Sequence, residues 1–184
     1  HKFMGMRKIS PYAPDITPVE YLDNLKVLSK KILVANANYD LAELGKLAET
    51  GAKYIYQPLY SEEICNSVID FKTILENFGT NFGLSTQSFS TDRHFSMLKL
   101  ANDLNKDGLL DIVELIKYLT LYPAKILRLD NSIGSIEVGK DADFNVFKLN
   151  DGEDYRALSK MEFPYSTYSK GRKLVKRGEV RFSL

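Results

Sequence analysis

Between Thr17 and Thr86, short apolar runs alternate with amphipathic stretches of about ten to twelve residues, and this alternation restricts the fold more than any other feature of the chain. Thr17-Pro18-Val19-Glu20 is a helix start, with Thr as N-cap, Pro at the first helical position and Glu placed to bond back to the cap. The helix is predicted to run from Pro18 to Leu28, with Val19, Leu22, Leu25 and Leu28 as its apolar stripe. Lys31 to Asn36 contains Ile32-Leu33-Val34-Ala35, a run suited to a strand buried on both faces. Tyr39 to Thr50 has helical periodicity and ends at Gly51, the residue type that tolerates a left-handed cap. The cycle repeats with a strand over Ala52–Gln57, a helix over Ser67–Phe78 closed by Gly79, and a strand over Thr80–Thr86. One helix between each pair of strands is the spacing of right-handed βαβ units in a parallel sheet.

The rhythm changes after Thr86. His94–Leu104 and Asp111–Leu121 both have amphipathic helical patterns, with no strand between them. Beyond Leu129 the chain is punctuated by glycines and is predicted to be β-rich, with strands at Ser135–Val138 and Asp143–Leu149 and a hairpin over Lys173–Phe182.

With 184 residues, 44% of them hydrophobic, the chain is large enough to bury a core. Its 25 Lys and Arg balance 24 Asp and Glu, so no net field draws it to nucleic acid or to an anionic membrane. From Lys160 onward Lys and Arg are in excess, interleaved with Tyr165 and Tyr168; a solvated hairpin face explains this better than nucleic-acid binding, because basic residues on an edge strand also block aggregation. Apolar runs such as Ile32–Ala35 are far shorter than the roughly 18–20 residues of a membrane span. Cys65 is the single cysteine and cannot form an internal disulfide, which leaves a soluble, cytoplasmic chain as the expectation. The start at His1-Lys2-Phe3 lacks an initiator Met, and residues 1–16 read as a leader or tag remnant.

Candidate chemistry is sparse. His1 and His94 are the only histidines, too few for a self-contained catalytic zinc site, and His94 at a helix start suits a solvated or capping role. Cys65 has no nearby histidine in sequence to activate it as a nucleophile. Asp103-Leu104-Asn105-Lys106-Asp107-Gly108-Leu109-Leu110-Asp111-Ile112-Val113-Glu114 carries the full calcium-loop spacing, with Asp103, Asn105, Asp107, Asp111 and Glu114 as oxygen ligands and Gly108 at the sharp turn. No second such loop pairs with it, and an exposed acidic turn between two helices, with Asp111 near a helix N-terminus, is the simpler reading.

Ala124-Lys125-Ile126-Leu127-Arg128-Leu129, followed by Ile133-Gly134-Ser135-Ile136-Glu137-Val138-Gly139-Lys140-Asp141-Ala142-Asp143-Phe144-Asn145-Val146-Phe147, resembles the C-terminal signature of the amidohydrolase superfamily, in its chlorohydrolase and nucleobase-deaminase-like branch. The resemblance covers about Thr17 to Phe182. It implies an α/β fold, a partial (β/α)8 barrel comprising about the last three strands with their helices over 17–128, followed by a small β-rich segment over 129–184. The family reaction it implies is metal-assisted hydrolysis of C–N or C–Cl bonds in small heterocycles, with zinc or iron as cofactor. By the same resemblance, the metal-binding histidine of the sixth strand falls at Asn36, or at Ala35 if the loop gap is placed differently, and the Thr-Asp of the eighth strand falls at Thr86-Gln87. A neutral Gln neither accepts a proton from a metal-bound water nor offsets the cation's charge. The expectation is therefore a chain with no catalytic metal of its own and no activity alone, which self-associates or pairs with a second chain supplying the missing strands. A non-catalytic binding module with a calcium loop at 103–114 is the competing reading.

Overall fold

The computed structural model describes residues 16–35, 41–58, 68–86, 96–176 and 179–180. The chain divides into two compact units, residues 1–87 and 88–184.

In the first unit, α1 (Pro18–Asn24) carries the expected capping box: Thr17 Oγ1 accepts from the Glu20 N–H at 3.2 Å, and the Glu20 carboxylate accepts from the Thr17 N–H at 3.1 Å. The helix stops short of Leu28, with Lys26 in the left-handed region at φ +56°. β1 (Leu33–Val34), α2 (Leu41–Glu49), β2 (Lys53–Tyr56), α3 (Phe71–Phe78) and β3 (Phe82–Leu84) follow in alternation. The strands are parallel and lie in the order β1-β2-β3, with Val34 opposite Tyr54 and Tyr54 opposite Phe82.

α2 and α3 pack against each other, and most of the buried side chains of the unit come from these helices and from one sheet face, with Val19 of α1 added to them. Leu44, Leu47, Phe71, Ile74 and Phe78 on the helices and Tyr54, Tyr56 and Phe82 on the strands are all buried. Tyr54 stacks on Phe78 with ring centroids 5.0 Å apart, and Phe82 meets Tyr56 and Phe71 edge-on at 6.5 and 6.1 Å. The Tyr56 hydroxyl donates to the Ile69 carbonyl at 2.6 Å, so its polar end is satisfied. Asp70 caps α3 by accepting from the Thr73 N–H at 2.9 Å.

The expectation that the first strand is buried on both faces does not hold. Leu33 is 41% exposed and Ile32 37% exposed. Among the described residues, β1 pairs only with β2 and so lies at an edge of the described sheet, where side chains have neighbours on one side.

In the second unit, α4 (Met97–Leu104) is capped by Ser96, which accepts from the Lys99 N–H at 3.1 Å. α5 (Ile112–Leu119) is capped by Asp111, which accepts from the Glu114 N–H at 2.8 Å. The single helix expected over Asp111–Leu121 gives way to two, because α6 (Leu121–Leu127) starts afresh after Thr120. Pro123 supplies the reason: without an N–H it cannot bond back to Leu119, and its ring crowds that carbonyl.

A short 3-10 helix (Tyr155–Lys160) and an antiparallel sheet complete the unit, with β4 (Phe144–Val146), β5 (Ser166–Ser169), β6 (Arg172–Lys176) and β7 (Glu179–Val180) in sequential order. The strand expected at Ser135–Val138 is absent. Its backbone is used in local closure, with the Lys140 N–H donating to Glu137 O at 3.2 Å and the Asp141 N–H to Ser132 O at 2.8 Å. The β6–β7 pair realises the expected hairpin, and β5 is an additional strand.

Candidate functional site

Parallel β/α sheets bind ligands beyond the carboxyl ends of their strands, where the βα loops converge. In the first unit those ends carry Ala35 after β1, Gln57 and Pro58 after β2, and Ser85 and Thr86 after β3. Ala35 is exposed and presents only a methyl group; Gln57 is buried. The Ser85 N–H is held by the Tyr56 carbonyl at 3.0 Å, which extends the β2–β3 pairing to the mouth of the sheet. Asn36 and Gln87, the positions to which the sequence resemblance assigns metal ligands, lie outside the described residues, as do His1, Cys65 and His94.

Burial under the helices dominates the electrostatics of the sheet. Desolvation pushes the Tyr54 hydroxyl up to about 12. It also pushes Tyr56 up, helped by Tyr54 and Asp70. Both phenols therefore stay neutral packing groups over the physiological range and offer no proton-accepting phenolate.

The side chains of the 103–114 loop engage one another and neighbouring groups. Asp103 is ion-paired with Lys99 at 3.3 Å. The Asn105 side chain clasps the turn, donating to Leu110 O and accepting from the Leu110 N–H, both at 2.9 Å. Gly108 turns the chain at φ +69°. Asp111 is committed to capping α5. Glu114 accepts from Lys117 Nζ at 2.7 Å and from the Tyr122 hydroxyl at 2.5 Å, so both its carboxylate oxygens are engaged. Lys117 first, then Tyr122, hold the Glu114 carboxyl below its ordinary value. Asp107 is exposed. Among the described residues no group of three or more His, Cys, Asp or Glu side chains converges as a metal site. The loop residues thus stand in a turn-and-cap arrangement in place of an oxygen cage.

Two side chains that sequence reasoning did not single out tie the second unit together. Asn102 donates to the carbonyls of Leu158 at 3.0 Å and Met161 at 3.3 Å, which anchors the 3-10 helix on α4. Lys140, with its side chain 13% exposed, donates to Ser135 Oγ at 2.5 Å and to Glu137 at 3.2 Å inside the glycine-punctuated segment. Lys140 also lines a polar cavity of about 530 Å³ with Lys125, Asp130 and Glu137. The signal for Lys140 was present in sequence as a lysine directly after Gly139; Asn102 had none, because its partners lie more than fifty residues away.

A parallel β/α unit followed by a unit of helices and a small antiparallel sheet is the class of protein this chain presents. Residues 12–174 match the amidohydrolase family, and the chain belongs to it. It is 26% identical over 147 residues to a 5'-deoxyadenosine deaminase of Methanobrevibacter smithii, which covers 75% of this chain and 34% of that protein. It is equally 26% identical, over 151 residues, to a 5-methylthioadenosine/S-adenosylhomocysteine deaminase of Halothermothrix orenii, covering 77% of this chain and 34% of that one. Among solved structures, an adenosine deaminase from Xanthomonas campestris with bound zinc superposes with a TM-score of 0.71 at 19% identity, over 89% of this chain and 41% of that one. The atrazine chlorohydrolase of Arthrobacter aurescens, complexed with zinc, superposes with a TM-score of 0.72 at 16% identity, over 91% and 41%. The chain spans about a third of the length of the curated relatives it matches.

The described strand ends do not fit a zinc ion. A methyl at Ala35, a carboxamide at Gln57 and hydroxyls at Ser85 and Thr86 include no imidazole, thiolate or carboxylate, the donors that bind zinc in proteins. Among the described residues no helix is long and apolar enough to cross a membrane.

Proposed function

We propose that this chain forms the last three strands of a (β/α)8 barrel, with the β-rich segment that follows, in an amidohydrolase-type protein whose family reaction is hydrolysis of C–N or C–Cl bonds in small heterocycles. The observation that carries this reading is the parallel β1-β2-β3 order with α2 and α3 packed together between the strands, inside a family match running from residue 12 to 174. Closing such a barrel takes eight strands and typically about 250 residues. The remaining strands come from additional polypeptide, and the chain alone is inert. Asn36, or Ala35, and Gln87 stand where the family places a metal-binding His and Asp, and a carboxamide supplies neither the charge nor the basicity of the groups it replaces. Residues 17–128 belong to the barrel and 129–184 to the tail in this reading, in a cytoplasmic protein.

The test is an assay of the purified chain, with and without added zinc, for ammonia release from 5'-deoxyadenosine and 5'-methylthioadenosine and for chloride release from atrazine. No release above a protein-free blank is expected. Turnover that co-purifies with the chain overturns the proposal of inertness.

A further inference from the structure

The sequence contains two Asp-Gly pairs, Asp107-Gly108 and Asp151-Gly152, and the structure holds them differently. Aspartate followed by glycine is the pair best suited to an internal reaction of the backbone, because the amide nitrogen of a residue without a Cβ can approach the aspartate Cγ. Asp107 and Asp151 are both exposed, and neither carboxylate has a hydrogen-bond or ion-pair partner among the described residues. Both glycines lie on left-handed backbone, at φ +69° and +83°, with open space where a Cβ would stand.

The pairs differ at the nitrogen. The Gly108 N–H donates to the Asn105 carbonyl at 2.8 Å, inside the turn that the Asn105 side chain also clasps through Leu110. The Gly152 N–H has no acceptor among the described residues. Its turn is closed by the outer residues alone: the Glu153 N–H donates to the Asn150 carbonyl at 3.1 Å, and the Asn150 N–H donates to the Glu153 carboxylate at 2.8 Å. Asp151 and Gly152 are left at the tip, with electrophile and nucleophile both uncommitted.

We propose that Asp151-Gly152 is a site of spontaneous conversion to isoaspartate through a succinimide, with water as the sole co-reactant. The Gly152 nitrogen bonds to the Asp151 Cγ, and the carboxyl hydroxyl leaves with the Gly152 amide proton as water. A second water then cleaves the bond between the Asp151 main-chain carbonyl carbon and the Gly152 nitrogen, its hydroxyl going to carbon and its proton to nitrogen. No atom is gained or lost overall, and the chain now runs through Asp151 Cβ and Cγ, one methylene longer. The added length separates Asn150 from Glu153 and opens the two bonds that close the turn. Asp107 reacts more slowly, because Gly108 must first give up its bond to Asn105.

The experiment incubates the whole chain for several weeks at mildly acidic pH and physiological temperature, folded and in concentrated urea. Isoaspartate at the two positions is counted by electron-transfer mass spectrometry of peptides. In the folded chain Asp151 should convert at least about fivefold faster than Asp107, the size of one hydrogen bond's net contribution. In urea the two rates should converge to within about twofold, since the bond that protects Gly108 is gone. Gly152→Ala, at an exposed position with open space, should slow conversion at Asp151 by at least about fivefold. Conversion at Asp107 as fast as at Asp151 in the folded chain would overturn the proposal. So would the same ratio of rates in urea, which would assign the difference to sequence context alone, or an unchanged rate at Asp151 in Gly152→Ala. None of these outcomes touches the barrel reading, which the substrate assay judges separately.

Discussion

Gly134 lies directly against Ala124: a Cβ on the glycine would stand 2.6 Å from the Ala124 Cβ and 3.1 Å from the Thr120 carbonyl oxygen, on backbone at φ +95°. Both residues belong to the stretch that carries the family signature, and the contact shows its physical content, since only a residue without a side chain lets the turn close on α6. Gly134→Ala is expected to cost about 2–4 kcal/mol, from overpacking and left-handed strain together. Gly139 has nearly the same φ, +94°, but open space around it. Gly139→Ala should therefore cost only the conformational part, about 1–2 kcal/mol. Urea denaturation of the two variants checks this, and equal losses would show that packing against Ala124 contributes nothing.

The sequence made the first unit legible because its determinants are local. Thr17 and Glu20 cap α1, Gly51 and Gly79 sit at φ +72° and +51° after α2 and α3, and each strand is a short apolar run. What failed there was burial: Ile32 and Leu33 are as apolar as a central strand requires, and nothing local records that β1 is the outer strand among the described residues. In the second unit the sequence left non-local pairing unread. β5 is Ser-Thr-Tyr-Ser, with no apolar alternation, and exists through pairing with β4 and β6. The Asp103–Glu114 spacing also matches a calcium loop because spacing does not reveal partners, and in the structure Lys99, Lys117, Tyr122 and the Leu110 backbone engage Asp103, Glu114 and Asn105.

Calcium should leave the thermal midpoint of the chain unchanged at millimolar concentration, because Glu114 and Asp111 are committed to intramolecular bonds. Asn105→Ala should lower stability by about 1–2 kcal/mol by freeing the Leu110 N–H and C=O. A calcium-dependent rise in the midpoint that Glu114→Gln abolishes would restore the calcium-loop reading.

The Glu114 cluster should be visible in acid. Its carboxyl sits below its ordinary value of 4.5 in the folded state, so the stabilisation it gives is present above that pH and is lost as pH falls through the lowered folded value. Thermal scans across that range should show a smaller acid-side decline for Glu114→Gln than for the parent chain. A parallel decline would show that the bonds to Lys117 and Tyr122 add nothing.

Tyr56→Phe should cost about 1–2 kcal/mol by leaving the Ile69 carbonyl unpaired under α3. In an alkaline spectrophotometric titration, Tyr54 and Tyr56 should ionise well after the exposed tyrosines, since burial raises both. Ionisation of all tyrosines together in the folded chain would contradict their burial.

Zinc binding should be recoverable by substitution. Asn36→His with Gln87→Asp introduces the two donor types that the family resemblance assigns to those positions, and isothermal titration should give at least about tenfold tighter zinc binding than the parent. If Ala35→His with Gln87→Asp succeeds where Asn36→His fails, the histidine position is Ala35.

The most direct test of an open parallel sheet is amide hydrogen exchange resolved at Leu33, Lys53 and Tyr54. Lys53 donates to Ile32 on one side and Tyr54 to Asn81 on the other, at 2.8 and 3.1 Å, so both should be strongly protected. The Leu33 amide, which faces the edge, should exchange orders of magnitude faster in the isolated chain and slow only when a strand partner is added. Protection of Leu33 equal to that of Lys53 in the isolated chain would mean that the sheet does not end at β1, and would contradict the account of β1 as its open edge.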